Sequence, residues 1–204
     1  MSGTTPAGAW SAYDEGYLRA HQWAGALKGG DQMPTEATAT RLGPGETAHA
    51  HFAPVGVAGY FGEDKEYRSS LFLIGGPVGL AVTGAASMAR NAAKRREAER
   101  AAVPRWHDLG KVDLVVTNQR LLLTARDQMQ SFWYAELGPL QMTAGRGGVP
   151  AVQFQPANAP VLRLESAWAP MLYVFVHHLV DGQPPEVPLP ADLLARAQAQ
   201  GRLG

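Results

Sequence analysis

Val115-Val116-Thr117-Asn118-Gln119-Arg120-Leu121-Leu122-Leu123 holds two apolar runs divided by a polar break. Upstream, Val112, Leu114 and Val116 alternate with Asp113, Val115 and Thr117, the period of a strand with one buried face. Thr117-Asn118-Gln119 is a turn sequence, since Thr and Asn side chains bond the local backbone, and 120–124 reads as the return strand. The stretch is therefore a β-hairpin, and the residues around it follow the same spacing. Further strands are expected over 131–137, 140–143, 151–155 and 161–165, with breaks at Gly145-Arg146-Gly147-Gly148 and Pro156-Ala157-Asn158. Before the hairpin, 46–60 predicts one strand, bent near Pro54 and Gly56. Short strands at this interval suggest a sandwich or a small barrel.

Two helices are expected in the body. Trp168, Leu172, Phe175 and Leu179 form one apolar face of a helix that opens near Ser166 and ends at Asp181-Gly182. A longer helix is expected over 78–103, where Val78, Val82, Ala85, Ala89 and Ala92 form a stripe of small residues. The segment 11–28 offers a short helix with Tyr13, Tyr17 and Trp23 as docking residues, but 1–45 lacks a sustained pattern and reads as a flexible N-terminal arm. The stretch 183–204, with four prolines between 184 and 190 and then a short polar, Ala-rich helix candidate, reads as a Pro-rich, linker-like tail whose removal leaves the body folded. The class is mainly β with helices (α+β).

The strand–Thr-Asn-x-Arg-Leu–strand pattern of Val115 to Leu123 resembles the signature of bacterial pleckstrin-homology-like (PH-like) and GRAM-like domains. Trp133-Tyr134 leading into Leu137-Gly138-Pro139-Leu140 is similar to the strands that follow in that family. The resemblance covers 46–182 and implies a small antiparallel barrel capped by the C-terminal helix. Residues 63–105 would then be a helical insertion between the first two strands, which departs from the family. Eukaryotic relatives bind phosphoinositides through basic loops near the first hairpin; no Lys/Arg-rich loop directly follows the first strand here, so that role is not carried over. In this hairpin Arg120 is expected to act structurally, laying its guanidinium on a carboxylate or carbonyl.

Composition narrows function. Eighteen basic residues balance eighteen acidic ones, which argues against a bulk nucleic-acid binder. With no cysteine, thiolate catalysis and sulfur-ligated zinc are excluded. The sequence contains no Gly-x-Ser-x-Gly elbow, no phosphate-binding Gly-x-x-x-x-Gly-Lys loop and no His-Glu-x-x-His pair. Gly145, Gly147 and Gly148 lie between strands with no helix after them, and read as a hairpin loop. No enzyme and no cofactor are expected. The paired His49/His51 and His177/His178 lack a ligand spacing that would mark a metal site.

The expected function is a non-enzymatic binding or scaffolding module in the cytoplasm of a bacterium, acting on a protein partner or on a second copy of itself. The candidate contact residues for an anionic surface are Arg90, Lys94, Arg95, Arg96 and Arg100, with Arg105 beyond them. Their late position in a helix also suits its dipole, which makes a solvated helix end the plainer reading. The run 69–89 carries no charge and reaches the length of a membrane span, giving membrane attachment as the alternative. Five Gly or Pro residues within it weaken insertion, and a span there would part the first strand from the rest, so the helix is expected to pack on protein.

Overall fold

A long antiparallel ribbon, β1 (Ala48–Phe61) against β2 (Arg105–Thr117), organises the molecule. The computed structural model describes residues 10–62, 103–126, 128–157 and 159–203. The expected helix over 78–103 (Val103 apart), the charge-free run 69–89 and the five basic contact residues lie outside the described residues. The expected hairpin is present as β2 and β3 (Arg120–Ala125), followed by β4 (Gln128–Trp133), β5 (Gln141–Ala144), β6 (Pro150–Phe154) and β7 (Val161–Glu165). All pairings are antiparallel and the order is β4-β3-β2-β1-β7-β6-β5.

The ribbon belongs to two half-sheets. Residues 113–116 of β2 pair with β3, whereas residues 56–60 of β1 pair with β7. The β1–β2 ladder slips at three places, one of them between Phe52 and Val55, and Gly110 supplies the left-handed φ of 97°. Such irregularities add twist and re-aim a ribbon. The interior between the halves is filled by Leu114, Val116, Leu121, Phe154, Leu162 and Leu164, all nearly inaccessible. Val115 is buried too, on the opposite face, with Ala48, Leu122 and the partly covering Leu42. The segment before β1 runs over that face, which explains why the hairpin residues are apolar on both sides.

The expected barrel does not close. After β4 the chain leaves the extended conformation in a 3-10 turn at Tyr134–Glu136, so β4 and β5 remain edge strands. Among the described residues one isolated bridge, Leu137 with Pro156, and the bonds Gly138 N–H to Gln155 C=O and Ala157 N–H to Glu136 C=O join the halves there. Helix α2 (Ala169–Asp181) lies against β5 and β6, burying Leu172, Val174, Phe175 and Val176. Gly182 ends it with a φ of 71°.

Both ends of the chain carry helices. Within the expected flexible arm, α1 (Ala12–Lys28) starts in a capping box between Ser11 and Asp14 and buries Leu18, Ala20, Ala24 and Leu27. It packs on α2, with Trp23 edge-on to Phe175 at 5.5 Å. Gly16 is where the two approach, because a Cβ there would overlap the Ala167 carbonyl oxygen. In the expected tail, α3 (Ala191–Ala199) buries Leu193 and Ala197. Arg196 meets Asp14 at 2.7 Å, Arg202 meets Glu15 at 2.8 Å, and both guanidinium groups lie over the Trp10 ring. These contacts fasten the segment to α1.

Candidate binding surface

The hairpin turn is built around one carboxylate. The buried Glu46 receives Arg120 Nε and Nη2, each at 2.8 Å, in the bidentate geometry that suits guanidinium to carboxylate. Gly43 N–H donates to it at 2.7 Å and the Thr117 hydroxyl lies 2.8 Å away. Arg120, opposed by burial and helped by the Gly43 and Thr117 bonds, holds Glu46 down to about 2 from an ordinary 4.5. Arg120 also donates to Ser131 Oγ at 3.0 Å and stacks on Trp133, 4.5 Å from the ring centroid. Asn118 accepts from Thr47 N–H and donates to Gly45 C=O, while the Tyr134 hydroxyl donates to Thr117 C=O at 2.7 Å. The Thr-Asn-x-Arg motif therefore ties the segment before β1 to the hairpin. Its polar atoms are already occupied.

A second polar array fastens the β5–β6 hairpin. Arg146, in the glycine cluster, reaches Asp108 at 2.9 Å and stands 3.8 Å from Glu165. Glu165 holds Arg163 at 2.8 Å, and Arg163 lies over Trp106, 4.2 Å from its centroid. Trp106 in turn meets Tyr60, which is largely exposed. A Cβ at Gly145 would come within 2.6 Å of the Glu165 carboxyl carbon, so a side chain there would displace Glu165 from its place beside Arg163. The expected hairpin loop is there, with Gly147 and Gly148 at φ 64° and 80°. Arg146 links it to Asp108 at the surface.

One open cleft of about 160 Å³ lies where β3 ends and β2 continues. Lys111, Asp113, Thr124 and Arg126 contribute its polar groups, with Pro54 and Val112 beside them. Small-molecule sites run to roughly 300–1,000 Å³ and enclose the ligand, and this open cleft falls below that range. Family models, curated proteins and solved structures offer no match to this chain.

The histidine pairs are separate in their bonding. His49 Nδ1 lies 2.6 Å from Pro34 C=O, and His51 is exposed. His177 Nδ1 is 2.7 Å from Asp181 Oδ2. Among the described residues no three His, Asp or Glu side chains gather as a metal site. Arg105 opens β2 as the ladder partner of Phe61. The motif implied a carboxylate or a carbonyl under Arg120 without singling out Glu46, and nothing in the sequence pointed to the Trp106–Arg163–Glu165 array. The only local signal for the latter is an aromatic, a cation and an anion on residues that become neighbours through β1 and β7.

Proposed function

We propose that this chain is a non-enzymatic PH-like binding or scaffolding module of the bacterial cytoplasm. The observation that carries the reading is the strand order, in which four- and three-strand halves share one long ribbon and a C-terminal helix lies over the interior. The Thr117-Asn118-Gln119-Arg120 turn supports it as a structural signature, because its side chains hold the frame together. The charged arrays engage each other and the cleft is small, which favours recognition of a macromolecular surface over turnover of a small substrate. Affinity purification of the intact chain from its own host, followed by reconstitution with the recovered protein, tests this. Saturable binding between the two purified proteins is expected. Recovery of a small molecule that the chain converts would overturn it.

The second reading is attachment to a membrane through 69–89, favoured by the absence of charge over that run. Among the described residues no helix is long and apolar enough to cross a membrane. Fractionation separates the two readings. Retention in the membrane pellet through high salt and alkaline wash would establish attachment.

A further inference from the structure

β4 closes one end of the sheet, and among the described residues no strand pairs with its outer side. Edge strands ordinarily resist association through shortness, a bulge, a proline or a charge. The opposite edge, β5, is four residues long. Where β2 runs past β3 it carries Lys111 and the left-handed Gly110. β4 has none of these devices. Its six residues, Gln-Met-Gln-Ser-Phe-Trp, contain no charge and no proline, and they pair with β3 without a slip.

The ladder also fixes which atoms face outward. Tyr134 N–H bonds to Gln119 C=O at 3.1 Å, so alternation directs the backbone groups of Gln128, Gln130 and Phe132 to β3. Met129, Ser131 and Trp133 therefore present N–H and C=O to the open side. Met129 and Trp133 are 47% and 40% exposed.

We propose that this edge pairs with β4 of a second copy, antiparallel about a twofold axis at Ser131. Only alignments of odd with odd residues satisfy the outward backbone groups on both strands. Centring on Ser131 sets Met129 opposite the partner's Trp133, and Trp133 opposite the partner's Met129, a favourable sulfur–aromatic pairing. Arg126 lies before the strand and Glu136 after it, and both are exposed, so an antiparallel pairing brings the basic end of each copy toward the acidic end of the other. The interface is isologous, as a twofold dimer requires. It is small beside a standard interface of about 1,600 Å², so the dimer dissociates on dilution. The inference stands apart from the PH-like reading.

The test uses the full chain and its lack of cysteine. In the hydrogen-bonded pair at the axis, Ser131 and its copy would sit ~5.5 Å apart between Cα atoms, within disulfide range. Ser131→Cys is expected to give a covalent dimer under mild oxidation, whereas Asp192→Cys on the exposed side of α3 gives no covalent dimer on a denaturing, non-reducing gel. Met129→Lys is expected to shift the light-scattering mass to monomer at concentrations where the unaltered chain is dimeric, with an unchanged melting temperature. A chain that is monomeric at every concentration overturns the proposal. So does a dimer that survives Met129→Lys, or Ser131→Cys cross-linking no better than the control.

Discussion

Arg120 and Glu46, 74 residues apart in the chain, meet through two parallel contacts of 2.8 Å. A carboxylate so placed has lost its water, and its stability depends on the partners that replace it. The pair joins the start of the first strand to the hairpin turn, so it links the most local element of the fold to one of its longest-range contacts.

Arg120→Met is expected to destabilise the protein by about 3–5 kcal/mol, because it leaves the buried Glu46 charge without its cation. Urea unfolding measures this. Replacing both residues with apolar side chains of similar size should recover most of the loss, since the isolated charge disappears with its partner.

The same pair predicts a pH dependence. Glu46 is held at about 2 when folded against an ordinary 4.5. Its folded value is depressed, so its contribution is fully present above 4.5 and is lost as the pH falls through that value toward 2. Unfolding midpoints followed from neutral to acid solution should fall across this window, and Glu46→Gln should flatten that part of the curve.

Leu114 is fully buried in the interior between the half-sheets. Leu114→Ala is expected to cost about 2–5 kcal/mol, the range for large-to-small changes in a core. An unchanged melting temperature would contradict its placement.

Gly16→Ala sets a local rule against a tertiary one. Helix propensity alone favours Ala over Gly by about 1 kcal/mol. The added methyl group would strike the Ala167 carbonyl oxygen, which is backbone and cannot rotate away. Net destabilisation of roughly 1–3 kcal/mol is expected, as for other overpacked sites, and chemical denaturation checks the sign.

Removal of 183–204 is expected to lower the melting temperature, because Val187, Leu193 and Ala197 leave buried positions and α1 loses its partners Arg196 and Arg202. Limited proteolysis at low and high salt checks the polar share of this contact. Faster cleavage near α3 in high salt is expected, since the exposed parts of these ion pairs are screened.

The hairpin was legible because its information is local: a period of two, a turn sequence, and a return run. The N-terminal part of β2 was not. Trp106-His107-Asp108-Leu109-Gly110-Lys111 has no clean alternation, and it is a strand because β1 lies beside it. The terminal helices were legible as short candidates, but their docking was not, for a related reason. α1 and α3 bury mainly Ala and Leu in narrow stripes, and their anchoring pairs, Asp14 with Arg196 and Glu15 with Arg202, span nearly the whole chain. Barrel closure depends on whether two distant edges meet, which no window of sequence encodes. Arg120 announced a structural role through its motif, whereas its acceptor Glu46 resembles any other surface acid until the fold buries it.

Phe61 and Arg105 are ladder partners, so the ribbon releases the chain and takes it back at one point. The entropy of closing a loop at such a point rises by only about 0.6 kcal/mol for each doubling of its length. The connection leaves and returns at neighbouring positions, so greater length by itself adds little closure cost to the ladder that anchors it.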